Sequence, residues 1–438
     1  MIASAPPGRR GGLRSAILGL LVAFPALALA AGTVGSAAGG QAGVSQPTVA
    51  SVPNGGSQAM VRRGGAHQPI VRELEALLKR CPDLAKALEA SLAKADYRDI
   101  RSLPRYFTFL DDLATLVPAE RDLKPRMLEF YYLVSRSPGI QLQQDPRFAK
   151  WMVKFAQEWG SFLDTPESAI GLATFLKDPA YRMDDYFQEP SGWRTFNQFF
   201  ARECKPGRRP VDGPCDDGII VSPADSVFHG QWPIDDNATI IVKGTRLAIR
   251  DLLAGSPWAE RFRGGVFIHS FLDVNDYHRF HTPVRGKVLE SRKIPGKVFF
   301  EVTKRPDGTL EDRDGATYQF TQDRGILVLD SPVGLVAVLP IGMAQVSSVN
   351  LVAEPGAELR KGDLFGFFLF GGSDIIVLFE PGRVAFDAEV GAHYAQGRQI
   401  GHAAVALQIA QDGVHPAEGR NLGTLPFSQG TEVIGAQP

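Results

Sequence analysis

Two apolar runs meet at a glycine pair: Leu364 to Leu369 leads into Gly371, Gly372 and Ser373, and Ile375 to Phe379 follows without a polar residue. A short run of that kind bounded by turn residues fits a strand buried on both faces. Ser373 is therefore expected in a Gly-Gly turn between two buried strands, where backbone can adopt conformations closed to residues with a Cβ.

Other short β-runs share this half of the chain. They cover 218–221, 239–242, 265–268, 287–294, 297–302, 325–329 and 335–339. The last two are joined by Asp330, Ser331, Pro332 and Gly334 and predict a hairpin. Before about Ser191 the period changes. Leu74, Leu77 and Leu78, then Leu84, Ala87, Leu88 and Leu92, recur at spacings of three and four, as do Phe107, Leu110, Leu113 and Leu116. A third helical stripe carries Phe148, Trp151, Met152, Phe155 and Trp159, and a fourth helix is expected at Thr165 with Pro166 in its first position. The pattern predicts an α+β chain with a helical N-terminal domain over 67–190 and a β-rich domain over 191–438.

Residues 1–30 read as an export signal. Arg9, Arg10 and Arg14 precede the apolar stretch Ala16 to Ala30, which ends in the small residues Ala28 and Ala30 and is too short for a spanning helix. Residues 31–66, rich in Gly, Ala, Ser and Gln, read as a flexible linker. The protein is thus expected outside the cytoplasm, in a periplasmic or secreted setting. Lys plus Arg (47) nearly balance Asp plus Glu (48), which gives no general pull toward nucleic acid. Three cysteines are too few for a disulfide framework; Cys204 and Cys215 could pair in an oxidising compartment, or all three could be free.

Three segments carry chemistry. VSPADS presents Asp225 after a proline. DVNDYHRFHTPVRGKV presents His278 and His281. FLFGGSDIIVLFEPG presents Ser373. Together they supply a hydroxyl nucleophile, an imidazole base and a carboxylate. Taken singly, a Gly-Gly-Ser or Pro-Ala-Asp stretch is ordinary turn chemistry. The paired histidines lack a third and fourth ligand, so no metal is expected. Ser373 is not framed as Gly-x-Ser-x-Gly, which removes the hydrolase elbow.

These segments resemble the phosphatidylserine decarboxylase family, with its YHRxH element, its SPADG-like element and its GS or GGSS cleavage site. The resemblance extends over WRTFNQFFARECKPGRRPV (Trp193 to Val211) and GAELRKGDLFGFF (Gly356 to Phe368). It implies that Asp225, His281 and Ser373 form a self-processing triad, in which His281, oriented by Asp225, takes the Ser373 proton and the serine oxygen attacks the Gly372 carbonyl. Cleavage between Gly372 and Ser373 would leave a pyruvoyl cofactor derived from Ser373, with the large and small chains still associated. That group condenses with the substrate amine and withdraws the electrons released with carbon dioxide, and His278 would then supply a proton.

The implied substrate is phosphatidylserine, converted to phosphatidylethanolamine and carbon dioxide, with peripheral membrane contact. The helical region, through Trp159, Gly160 and Phe162, is similar to that of a branch including soluble tryptophan decarboxylases, so a free aromatic amino acid such as tryptophan is the alternative. Two positions depart from the family pattern: Ser226 replaces a usual Gly and Asp374 a frequent second Ser. They favour a third reading, a binding homologue that does not process.

Overall fold

A computed structural model describes residues 66–242, 245–312, 318–342, 349–370 and 373–404. The export signal, almost all of the linker, Gly371, Gly372 and residues 343–348 lie outside them. No helix among the described residues is long and apolar enough to cross a membrane.

The helical pattern is realised from Pro69 onward. Helices Pro69–Arg80, Pro82–Ala95, Leu103–Ala114 and Pro146–Leu163 each carry a proline at the first or second position, where a missing N–H costs nothing. Leu74, Leu78, Leu84, Leu88 and Leu92 are buried along the predicted stripes. Helix Glu120–Ser135 is buried at every residue from Met127 to Ser135, because it lies inside the helical layer and also meets the β-region. The helix expected at Thr165 opens instead as a 3-10 turn, Pro166–Gly171, before a short helix, Leu172–Leu176. Thr165 does not cap it: the hydroxyl donates back to the Phe162 carbonyl at 2.8 Å.

Residues after Ser191 build an antiparallel sheet of eight strands. In spatial order these are Glu358–Leu359, Gly286–Ile294, Arg324–Ser331, Gly334–Gly342, Ser373–Phe379, Val266–Leu272, Ser226–Pro233 and His393–Tyr394. The predicted hairpin is its third and fourth strands, closed with Ser331 opposite Gly334, whose φ of +89° a side chain would strain. A three-stranded sheet, Val349–Leu351, Leu364–Phe368 and Arg279–His281, lies beside it. One face of the large sheet shares a continuous apolar cluster with the helices, through Ile375, Val377 and Phe379. The opposite face, with Ile376 and Leu378, packs on helix Ile249–Leu253.

Two expectations need correction. Most of the run 297–302 is not a strand, since only Val302–Lys304 pairs as one. Helix side chains take the place of a partner strand: Gln143 both donates to the Phe300 carbonyl and accepts its N–H, and Ser135 accepts the N–H of Val302. Ser373 does not sit in a turn. It is the first residue of the fully buried strand Ser373–Phe379, opposite Leu272 on one side and Gly342 on the other.

That position bears on whether two chains would stay together if the backbone were cut before Ser373. A chain starting at Ser373 would keep its first strand between two strands of the larger piece, with Ile375 to Phe379 buried. Burying one such side chain is worth about 1.5–3 kcal/mol, so five hold the pieces together without a covalent link. Native size-exclusion chromatography of cut protein should give one peak containing both fragments; separation without denaturant would contradict it.

Candidate active site

Ser373 is wholly buried, and its Oγ has no hydrogen-bond partner among the described residues. Side chains alternate across a strand, so Ser373 shares the face of Ile375 and Val377, toward the helices. Asp374 points the other way. Its carboxylate accepts from the Tyr318 hydroxyl at 2.5 Å and from Gln319 at 3.4 Å. His269 Nε2 comes within 3.3 Å of it, an ion-pair distance without hydrogen-bond alignment. The Asp374 carboxylate, one of the two departures from the family pattern, is therefore engaged on the far side of the strand. The other departure, Ser226, is absorbed as easily, because it opens strand Ser226–Pro233 and its hydroxyl donates to the Ala224 carbonyl at 3.3 Å.

His278 lies in the layer that Ser373 faces. Both of its ring nitrogens are buried with no hydrogen-bond partner among the described residues, and the ring stacks on Phe200 at a centroid distance of 3.8 Å. Phe200 in turn meets Phe370, shortly before Ser373 in the chain, at 5.4 Å, and Phe370 meets Trp159 of helix Pro146–Leu163 at 5.5 Å. The backbone links the same segments, since the Phe368 N–H donates to the His278 carbonyl at 2.8 Å. Burial, followed by the nearby Arg202 charge, holds the His278 pKa well below the usual imidazole value.

His281 is held from both ends. Nδ1 lies 2.8 Å from the Gly362 carbonyl, which can only accept, so Nδ1 carries the proton. Nε2 is then the basic nitrogen, and it accepts from the Tyr277 hydroxyl at 3.2 Å. Burial pushes the Tyr277 phenol up, so it keeps that proton. The VSPADS segment does reach this histidine, because the His281 N–H donates to the Pro223 carbonyl at 2.8 Å. Among the described residues no direct hydrogen bond joins Asp225 to His281.

Asp225 is committed elsewhere. Arg209 Nε and Nη2 grip its two oxygens at 2.8 and 2.6 Å, and the Gln396 N–H donates to Oδ1 at 2.8 Å. Arg182 approaches at 3.4 Å. Asp225 acts on His281 only as a charge that raises its proton affinity, and burial outweighs it: the His281 pKa falls to about 4. Arg209, Tyr277 and Gly362 were not singled out from the sequence, although Arg209 lies in KPGRRP and Tyr277 in DYHRFH. Each of the three cysteines is a free thiol, so Cys204 and Cys215 are not paired.

Two expected results follow. Replacing Arg209 by Met strips the buried Asp225 of its bidentate partner, which costs about 3–5 kcal/mol. Denaturant unfolding should show a matching fall in midpoint, and a parental midpoint would refute the pairing's role. The second concerns acid. His281 binds its proton near pH 4 when folded and near 6.5 when unfolded, so from 6.5 down to about 4 the unfolded chain takes up a proton the folded one does not. Stability should be full above that window and fall through it. His281→Gln should flatten the fall, leaving the similar contribution of His278.

No group of three or more His, Cys, Asp or Glu among the described residues could hold a metal ion. Residues 196–402 match the sequence model of the phosphatidylserine decarboxylase family. The chain is 34% identical over 232 residues to phosphatidylserine decarboxylase proenzyme 3 of Schizosaccharomyces pombe, covering 53% of this chain and 23% of that protein, so it spans about a quarter of that relative's length. It is 34% identical over 215 residues to the phosphatidylserine decarboxylase proenzyme of Chlamydia muridarum, covering 49% of this chain and 69% of that protein. It is 27% identical over 319 residues to decarboxylase iboD of Amanita muscaria, covering 64% and 89%. The 64% of this chain that is covered is longer than the span from Phe196 to Pro438, so the match reaches back before Phe196 into the helical region.

Proposed function

The chain belongs to the phosphatidylserine decarboxylase family, and on that premise we propose that it cuts its own backbone between Gly372 and Ser373 and then decarboxylates an α-amino acid or amino-acid head group. One observation carries the reading. The Ser373 hydroxyl and both His278 nitrogens are buried without a hydrogen-bond partner among the described residues, an arrangement that costs about 1–3 kcal/mol per group and persists where the groups serve chemistry.

In the cutting step, His281 Nε2 takes the Ser373 proton once Tyr277 yields that nitrogen, and the serine oxygen attacks the Gly372 carbonyl. The peptide becomes an ester. Elimination across the serine Cα–Cβ bond expels the ester oxygen and releases a chain ending at Gly372, and water then displaces ammonia. The residues present fit a pyruvoyl group at position 373, which would supply the ketone that draws electrons from a bound amine. His278 stands on the same side of the sheet to hold and return a proton. The export signal would place this reaction outside the cytoplasm.

Two substrate classes remain in play. The names of the Schizosaccharomyces and Chlamydia relatives support phosphatidylserine. The geometry favours a free amino acid: helix Pro146–Leu163 covers the Ser373 side of the sheet through Trp159 and Phe370, and a decarboxylase of another name matches through the helices. Denaturing electrophoresis should resolve a large and a small fragment. Carbon dioxide release should then be compared between phosphatidylserine vesicles and tryptophan. A single uncut band without carbon dioxide from either would sink the decarboxylase reading and leave the non-processing homologue.

His281 is neutral down to about pH 4, so it stays competent as a base well below the ordinary imidazole range. Cutting followed on gels should hold its rate from about pH 8 to below the ordinary imidazole pKa of about 6.5. An acid limb at that value would contradict the buried base.

A further inference from the structure

The short helix Phe196–Phe200 touches both segments that the reaction must bring together. Asn197 is buried, and its one side chain serves three elements. Oδ1 accepts the Phe370 N–H at 3.2 Å, while Nδ2 donates to Asp164 Oδ1 at 2.9 Å and to the Gly160 carbonyl at 3.3 Å. Phe370 stands just before the bond to be cut, and Gly160 and Asp164 belong to the helical layer. The helix is itself tied to that layer, because the Phe196 N–H donates to the Ser168 hydroxyl at 2.9 Å.

The far end of the same turn grips the other segment. The Phe200 ring stacks on His278. Arg202 is 1% exposed and forms no ion pair with a carboxylate among the described residues. Its Nη2 donates instead to the carbonyls of Asn275 and Asp276 at 2.7 and 2.9 Å, in the turn that leads into His278, and its guanidinium lies over Tyr186 at 4.3 Å. An unpaired buried cation is costly to keep, so its presence calls for a use.

We propose that Phe196–Phe200 and the residue pair after it form a bracket, in which Asn197 holds the segment to be cut and Phe200 with Arg202 hold His278, so that Asn197 and Arg202 are positioning residues. The inference rests on the decarboxylase reading above. It divides labour between the two ends, the Asn197 end serving cutting and the Arg202 end serving turnover. The charge of Arg202 has a second effect, because it opposes protonation of His278. The titratable neighbours of His278 in the chain are engaged elsewhere: the Asp276 carboxylate pairs with His393 at 2.8 Å, the Tyr277 hydroxyl bonds His281, and Arg279 pairs with Glu203 at 2.8 Å.

The test uses the full chain. Asn197→Leu should slow appearance of the two fragments about 10- to 100-fold, the range expected when a reacting group shifts by about 1 Å. Arg202→Lys and Arg202→Gln should cut at the parental rate yet lose about 10- to 100-fold in kcat. Arg202→Gln should also move the alkaline limb of the kcat profile, where the proton donor His278 loses its proton, to higher pH, and Arg202→Lys should leave it in place, a split that mere loosening of the fold does not produce. If Arg202→Gln does not fold, Phe200→Leu keeps the question open to measurement, with parental cutting and lowered kcat expected. Parental cutting by Asn197→Leu, or a parental kcat and pH profile in Arg202→Gln, overturns the bracket alone. A parent chain that never cuts overturns both the bracket and the decarboxylase reading.

Discussion

Ser373→Ala leaves one uncut chain with no measurable carbon dioxide release, and this is the largest effect the account expects of any single substitution. The reason is chemical. Alanine has no oxygen to attack the Gly372 carbonyl and no β-leaving group to eliminate, so neither the break nor the ketone can form. The same change should not unfold the protein. The serine hydroxyl is buried with no partner among the described residues, so its removal breaks no hydrogen bond to any of them and relieves a desolvation cost. A melting temperature at or above that of the parent is therefore expected beside the lost activity. A Ser373→Ala chain that still released carbon dioxide would refute the assignment outright.

His278→Ala should do the reverse: fragments at the parental rate, with turnover lowered by about 10² to 10⁴, the usual worth of a positioned proton donor or acceptor. The two histidines can be separated in this way because their surroundings differ. His281 is bonded at both nitrogens, to Gly362 and Tyr277, whereas His278 is bonded at neither among the described residues. Burial and Arg202 keep His278 neutral when no substrate is bound. A carboxylate arriving beside it raises its proton affinity, which is the direction turnover requires. Electrophoresis and carbon dioxide release on one preparation decide the matter: a variant that fails to cut would move His278 into the processing step, and one with parental turnover would remove it from the site.

Much of this arrangement was legible in the residues. The leucine stripes, the 324–342 hairpin and the apolar strand after the glycines declared themselves, because period and turn chemistry are local properties. The site residues emerged from motif resemblance, and the fold brings VSPADS against His281 and sets Ser373 facing the layer that holds His278.

What stayed hidden depended on distant partners. Residues 297–301 read as strand from their own composition, yet their backbone is satisfied by Gln143, Ser135 and Tyr131 from helices far earlier in the chain. The bidentate fork of Arg209 on the buried Asp225 carboxylate is a contact that the VSPADS segment alone does not announce. The orienting carbonyl of Gly362 carries no side-chain signal at all.

The most direct measurement is the intact mass of the small fragment from freshly purified protein. The account predicts a chain that begins at position 373 and is lighter by one ammonia than a fragment starting with serine, with no free amine to label at its end. A full-length chain, or a fragment with an ordinary amino-terminal serine, would contradict it.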